Sequence, residues 1–199
     1  MALSTYSGLK TAVADWLNRT DLTTAIVDCV TLAETDIRKD VRCQAMESLA
    51  SGTMTGETLA FPTRFLEARR LTLAGSNQEY AVPALYQQYD DNGSVQPVYT
   101  IIGQNFYVLN AANGDAYSLL YWASFAALSA DSDTNWILTN EPAIYLFAAL
   151  KWAAIYIEND AAAMKYEAQY QGAVGRLMMR EKQASVSGSQ LQVRTATYE

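Results

Sequence analysis

Apolar residues recur every three to four positions near both ends of the chain and every second position in its middle. The first spacing places apolar side chains on one face of an α-helix, and the second places them on one face of a β-strand. Residues 1–45 follow the helical spacing, with Ser4 or Thr5 as the first cap and a break at Asn18. The period becomes two from residue 46 and returns to the helical spacing near residue 132. The pattern therefore predicts helices at both ends of the chain and strands between them.

The middle segment has the pattern of consecutive short strands separated by residues that favour turns. Gly103–Asn105 and Asn113–Gly114 supply two of these turns, because glycine and asparagine tolerate positive φ angles. The pattern predicts strands at residues 97–102, 106–111 and 116–125, less regular strands at 53–60 and 65–74, and a short helix at 83–90.

The second helical segment begins near Pro142, a residue that suits the first turn of a helix. Asn159 and Asp160 separate two helices there, and so short a connection predicts an antiparallel pair. We predict an α+β fold with a mainly α-helical bundle body, an inserted β-rich module and an extended C-terminal tail. The helical body comprises residues 1–45 and 132–183, the β-rich insertion comprises residues 46–131, and the tail comprises residues 184–199.

Composition and charge narrow the class of protein. Half of the 199 residues are hydrophobic and 18% are charged, which is typical of a globular protein with its own core. The formal net charge is −7 and no basic patch is segregated, so tight binding to duplex nucleic acid is not expected. The most apolar segment, residues 143–157, contains Lys151 and is too short to span a bilayer, and the first residues lack a signal-peptide pattern. We therefore expect no membrane association, and reduced thiols at Cys29 and Cys43.

The residues that most enzymes need are largely missing. The chain contains no histidine, which excludes Ser-His-Asp and Cys-His catalysis and most zinc sites. Asp131, Asp133 and Asn135 alternate as the first ligands of an EF-hand loop would. Trp136 stands in the place of the loop's glycine, however, and Pro142 in the place of its glutamate. We predict a loop that caps a helix there, and no catalytic residue, metal or cofactor. A carboxylate-dependent hydrolase of cell-wall glycan stays open as an alternative, since two of the 21 acidic residues could face each other across a cleft.

Large aromatic residues on the predicted helical body are candidates for contacts between subunits. Aromatic side chains are enriched at protein interfaces because they bury a large area and, in tyrosine and tryptophan, keep a polar tip. Packing within one chain is the alternative interpretation, since neighbouring alanines let helices approach closely. The candidates are Trp136, Tyr145, Trp152 and Tyr156.

Several short motifs occur in an order that resembles a known family. They are Trp16–Arg19 near the start, Phe61–Pro62 with Phe65–Leu66 and Leu71–Leu73, a hairpin with Tyr99, Ile101 and Gly103, the strand Leu119–Phe125, then Asn135–Leu138, Pro142 with Tyr145–Leu150, and Tyr170–Val174. This ordered set resembles the head-to-tail adaptor proteins of tailed bacteriophages, especially of short-tailed phages. Each motif alone is weak, but the set covers most of the chain. Arg64 stands where the family usually has an acidic residue, and residues 111–115 lack the family's prolines, and both departures concern loops.

The resemblance implies a structural virion protein and not an enzyme. Such adaptors form a ring, expected to have twelve subunits, that joins the portal protein to a tail nozzle or tail-hub protein. The ring continues the DNA channel, and packaged DNA is expected to pass through the lumen without specific binding. We expect the chain in the virion, after assembly in the host cytoplasm. A stopper or tail-completion protein lower in the same assembly is the neighbouring alternative.

The resemblance also implies a role for the C-terminal tail. Family members often extend this segment into a groove on the portal, and residues 184–199 are polar and too poor in apolar residues to fold alone. A frayed terminus is the alternative interpretation. The portal-binding candidates are Val186, Leu191, Val193, Arg194 and Tyr198.

Overall fold

The computed structural model of the chain describes residues 3–186, and their side chains up to residue 184. The chain divides into two compact units. The first, called the helical unit, comprises Met1–Gln44 and Leu128–Glu199. The second, called the β unit, comprises Ala45–Ala127.

Helices and strands alternate in blocks along the chain. In order, the elements are α1 (Tyr6–Leu17), α2 (Thr23–Asp40), a 3₁₀ helix (Gln44–Met46), β1 (Glu47–Thr53), β2 (Thr58–Ala60), β3 (Phe65–Leu73), β4 (Ser76–Tyr80), α3 (Pro83–Asp91), β5 (Val98–Ile102), β6 (Asn105–Val108), β7 (Ala116–Ala123), α4 (Trp136–Asn140), α5 (Pro142–Tyr156) and α6 (Asp160–Val186).

Helix α5 lies at the centre of the helical unit. It packs against α1, α2, α4 and α6, and its buried residues include Tyr145, Leu150 and Ala154. Because α5 is covered on several sides, its apolar residues surround the helix and do not form a single stripe. The connection from α5 to α6 spans residues 157–159, so α6 returns along α5 as the second member of an antiparallel pair.

Helix α1 has the caps that its sequence predicts. The Thr5 side chain accepts a hydrogen bond from the Gly8 backbone N–H at 3.2 Å, which satisfies a donor in the first turn. The helix ends at Asn18, which has a φ of 51° in the left-handed region. Asparagine tolerates this conformation better than most residues, so the chain can turn there towards α2.

The strands of the β unit form one seven-stranded sheet in the order β1-β7-β3-β4-β5-β6-β2. Neighbouring strands are antiparallel except for β4 and β5, which are parallel. The sheet is curled, and Phe106, Leu71 and Leu119 lie buried in the core that it encloses. Helix α3 covers a smaller cluster that includes Tyr86 and Val98.

Strand β4 changes partner along its length. Its residues Ser76–Gln78 pair with β3, whereas Glu79 and Tyr80 pair with β5. The first half of β3 has two register irregularities in its pairing with β7, at Phe65/Glu67 and Ala68/Arg70. Because β4 leaves β3 for β5, a gap opens between the first half of β3 and the end of β5.

The predicted fold class, a mainly α-helical bundle with an inserted β-rich module, was wrong. Among the described residues, helices take 48% and strands take 23%, and the strands build a seven-stranded curled sheet, so the fold is mixed α+β. Prediction from apolar alternation underestimates the number of strands in the sheet, because β1 and β4 are largely polar and exposed. Their strand conformation comes from backbone pairing with β7, β3 and β5, which leaves little trace in apolar spacing. The predicted extended tail starts within α6, which reaches Val186, and its residues 187–199 lie outside the described residues.

The Thr100 hydroxyl is a buried polar group without a hydrogen-bond partner among the described residues, and its residue is 0% exposed. An unpaired buried hydroxyl costs stability, whereas a methyl group of the same shape does not. We expect Thr100→Val to raise the free energy of unfolding by about 1 kcal/mol, measured by urea unfolding. Thr72→Val is the matched control, because the Thr72 hydroxyl donates to the Ser118 carbonyl at 3.2 Å and its loss should destabilise the protein. An equal loss in both variants would contradict this account of Thr100.

Candidate interaction surfaces

Four of the five portal-binding candidates, Leu191, Val193, Arg194 and Tyr198, lie outside the described residues. The fifth, Val186, is the last residue of α6, and its side chain is not described.

The end of helix α6 is tied to the rest of the helical unit. The Glu181 carboxylate accepts a hydrogen bond from the Gln44 backbone N–H at 2.7 Å, and Arg180 pairs with Glu141 at 2.6 Å. These contacts hold the helix up to a few residues before the tail begins.

Tyr145 lies inside the helical unit, where it is 2% exposed. Its hydroxyl accepts a hydrogen bond from the Asn135 side-chain amide at 2.7 Å and donates to the Glu34 carboxylate at 3.4 Å. Glu34 also accepts from the Leu128 backbone N–H at 2.8 Å, and Asn135 caps α4 through the Leu138 N–H at 3.0 Å. Tyr145 therefore joins α5 to α2 and to the start of α4, and it could influence an interface only by positioning these helices.

Glu34 makes the stability of the helical unit depend on pH. Burial raises its pKa above the ordinary value of 4.5, although the hydrogen bonds from Leu128 and Tyr145 act in the opposite direction. A carboxyl group whose folded-state pKa is raised stabilises the fold fully below its unfolded pKa, and that contribution is lost as pH rises through the folded pKa. Glu34→Gln keeps an acceptor oxygen without the charge. We expect this variant to gain stability relative to the wild type as the pH rises above the ordinary Glu pKa of 4.5, measured by urea unfolding at each pH. The exposed Glu57→Gln is the control, and a difference that stays constant with pH would contradict this role of Glu34.

Trp152 is half-buried and belongs to a polar cluster that joins three helices. Its ring N–H donates to the Asp36 carboxylate of α2 at 2.9 Å, and the Lys151 ammonium binds the same oxygen at 2.5 Å. Lys151 also pairs with Glu167 of α6 at 3.0 Å, and the Tyr170 hydroxyl donates to Asp40 at 2.9 Å. The indole of Trp152 thus holds α5 against α2 within one subunit.

The remaining aromatic candidates are Trp136 and Tyr156. Trp136 is half-buried at the start of α4. Tyr156, the last residue of α5, is 62% exposed, with Ile155 beside it in sequence and Met164, 75% exposed, in the second turn of α6. Exposed large apolar side chains on a folded protein mark surfaces that another molecule can cover. We call Ile155 and Tyr156, at the end of α5, the corner surface.

The β unit carries a groove at the gap between β3 and β5. It has a volume of about 490 Å³. Apolar spacing along the chain could not reveal it, because the groove arises where β4 changes partner. Its lining residues come from β3 and the segment before it (Phe61, Phe65, Leu66, Glu67 and Ala68) and from β4, β5 and the turn after β5 (Tyr80, Tyr99, Ile101 and Gly103).

The loop that resembles part of an EF-hand is held by its own hydrogen bonds. The Asp133 carboxylate accepts from the backbone N–H groups of Ser129 and Ala130 and from the Ser129 hydroxyl. The two backbone hydrogen bonds, followed by the hydroxyl, hold the pKa of Asp133 below its usual range. Lys10 pairs with Asp131 at 2.6 Å. Across the described part of the chain, the acidic and cysteine side chains form no group suited to hold a metal ion.

No helix among residues 3–186 is both long enough and apolar enough to cross a membrane.

Comparison with known proteins identifies one family. A family model described as "SU10 adaptor protein" matches residues 4–194 of the chain, which includes nearly all of both units. None of the curated proteins matches the chain.

Proposed function

Because the chain belongs to the SU10 adaptor protein family, whose members are structural proteins of bacteriophages, we propose that it is a subunit of a ring joining the portal protein to the tail. The family match over residues 4–194 is the observation that carries this proposal. We further propose twelve subunits, a tail nozzle or tail-hub protein as the partner below, and a lumen through which packaged DNA passes without specific binding. In this role the chain acts by assembly and catalyses no reaction.

A subunit of a closed ring needs two different surfaces, because each copy contacts one neighbour on each side. The helical unit offers the corner surface, with Tyr156 as an exposed aromatic residue. The β unit offers the groove between β3 and β5. We propose that both take part in contacts between proteins, and that Trp136 and Trp152 contribute to contacts of the helical unit from half-buried positions. Tyr145 contributes by holding α5 in place.

The C-terminal residues 184–199 are proposed to dock on the portal. Polar segments that cannot fold alone can become ordered on a partner and cover a large area. Helix α6, tied to the helical unit through Glu181 and Arg180, would present the start of this segment in a defined position.

The test is size-exclusion chromatography with light scattering on the protein alone and mixed with the portal protein of the same phage. We expect the full chain to co-migrate with the portal, and a chain ending at Gln183 to lose that ability. A chain whose residues 187–199 are replaced by a glycine-serine segment of equal length is the matched control, because it keeps the length and removes the side chains. If the full chain does not bind the portal, the adaptor role is overturned, and a stopper or tail-completion protein lower in the assembly is favoured. Truncated chains that still co-migrate would overturn only the docking role of the tail.

A further inference from the structure

The gap in the sheet is the place of a missing strand. After Tyr80 the chain makes one more ladder hydrogen bond, from the Ala81 N–H to the Tyr99 carbonyl, and then enters α3 at Pro83. Beyond this point, residues 65–70 of β3 have no strand on the side away from β7 within the described range. Beyond Tyr99, β5 likewise has none on the side away from β6. Two strand edges therefore face each other across the groove.

The groove between these edges has an apolar floor and a charged rim. Phe65, Tyr99 and Ile101 pack against the core cluster around Phe106 and also line the groove. Glu67 is exposed and is the one charged side chain among the lining residues. Open backbone edges together with an apolar floor suit an extended peptide. Such a peptide hydrogen-bonds through its main chain and places every second side chain in the groove.

The C-terminal segment of the chain has the sequence of such a strand. Residues 191–198 read LQVRTATY, in which Leu191, Val193, Thr195 and Thr197 fall on one face. Four of these eight residues, one valine, two threonines and one tyrosine, are of the β-branched and aromatic types that favour strands, and a fifth is leucine. Arg194 falls on the other face, where its charge is opposite to that of Glu67 on the rim. Eight extended residues reach about 27 Å, which exceeds the roughly 20 Å of the open edge at β3 residues 65–70.

We propose that residues 191–198 of a second copy of this chain bind in the groove as an added strand next to β3. Leu191 and Val193 lie over Phe65, Tyr99 and Ile101. Each copy donates one segment and accepts one, which is a heterologous contact between copies that forms where the tail is not docked on the portal. This inference rests on the proposed function, because only a ring-forming protein is expected to bring several copies of the chain together. Because the same residues are proposed to dock on the portal, the groove and the portal exclude each other for a given tail.

Cysteine pairing between two differently labelled full chains tests this contact. One chain carries Ala68→Cys in the groove, and the other carries Leu191→Cys, Val193→Cys or Thr195→Cys in turn to sample the register. The native Cys29 and Cys43 are buried, so they interfere little. In the control, the first chain carries Val95→Cys in place of Ala68→Cys. After mild oxidation of the mixture, we expect at least one register to give tenfold more disulfide-linked heterodimer than this control pairing. Val95 is 90% exposed on the same unit but outside the groove, so it reports random collisions.

A labelled peptide of residues 187–199, added to the full chain, provides a second measurement by fluorescence anisotropy. We expect saturable binding that weakens at least tenfold in Ile101→Lys and stays unchanged in Ile102→Lys. Ile102 is the next residue of β5 and does not line the groove. A circular dichroism spectrum of each variant checks that it is folded.

The outcomes separate the possibilities. Heterodimer no more abundant than in the Val95→Cys pairing, or equal peptide binding by both lysine variants, would overturn the proposal. A disulfide that forms only within a chain carrying both cysteines would show that the segment occupies its own groove, and would overturn the assignment to a second copy. Neither experiment contains the portal, so a negative result in both would not count against the adaptor role. Conversely, a chain that does not bind the portal could still make the groove contact.

Discussion

The Phe106→Ala variant is expected to lose about 4 kcal/mol of the free energy of unfolding of the β unit. Phe106 is fully buried, and its ring centre lies 5.0 Å from that of Phe61, 5.3 Å from that of Phe65 and 5.9 Å from that of Tyr99. Removing the ring deletes these contacts and leaves a cavity. The cavity cannot collapse, because β6 is held in place by its antiparallel pairing with β5 and β2. Hydrogen exchange measures the effect, because it reports the two units separately. Amides of β5 and β6 should exchange faster, whereas those of α5 and α6 should not change.

Phe147→Ala is the matched control for this prediction. Phe147 is half-buried on α5, and its ring packs edge-on against the exposed Trp16 at 5.7 Å. The same side chain is removed, but from a position that solvent can fill, so we expect a loss of about 1 kcal/mol. A Phe106→Ala loss no larger than that of Phe147→Ala would contradict the view that the aromatic cluster holds the β unit together.

Lys151→Met is expected to lower the free energy of unfolding of the helical unit by about 2 kcal/mol, measured by urea unfolding. The Lys151 side chain is 13% exposed and lies between the carboxylates of Asp36 and Glu167, which it joins across α2, α5 and α6. Burial alone would lower the pKa of Lys151, but the hydrogen bonds to Asp36 and Glu167 outweigh burial and raise it. Methionine fills a similar volume, but among the described residues it leaves the Asp36 carboxylate with the Trp152 ring N–H as its one remaining hydrogen-bond donor. The effect stays below that of a fully buried pair because Glu167 is partly exposed to solvent.

A second substitution separates the charge effect from packing. Adding Asp36→Asn to Lys151→Met removes the uncompensated charge and keeps an acceptor for Trp152, so the double variant should recover part of the loss. Lys165→Met on α6 is the control, because Lys165 is exposed and its loss should change stability by less than about 0.5 kcal/mol. A Lys151→Met loss as small as that of Lys165→Met would show that the cluster contributes little.

The order of short motifs predicted the family, and the match to the SU10 adaptor model confirms that resemblance. Local spacing does contain information on some elements, since α5 and α6 have many buried residues and the buried Leu119, Tyr121 and Ala123 of β7 alternate with less buried neighbours. The size of the β-sheet could not be predicted from apolar spacing. Strands β1 and β4 are polar, and the pairing that makes them strands is a long-range property that local spacing does not contain.

The candidate surfaces were harder to predict than the fold. Tyr145 and Tyr156 are both tyrosines on α5, yet one is buried and the other is exposed. A helix covered on several sides gives no polar face from which exposure could be predicted. Predicting the groove needed knowledge of strand order, because β3 and β5 are distant in sequence and border the same gap only where β4 changes partner.

The way the chain enters and leaves the β unit bears on how such a protein can change during evolution. The chain passes into the β unit after Gln44 and returns at Leu128, and at each point a backbone N–H donates to a carboxylate of the helical unit, Glu181 and Glu34 respectively. Both junctions are therefore held by side chains encoded outside the inserted segment. Recombination that exchanged this segment for another would leave both junctions intact, so the insertion behaves as a cassette. A phage lineage can then acquire a new surface on its adaptor without having to rebuild the helical unit.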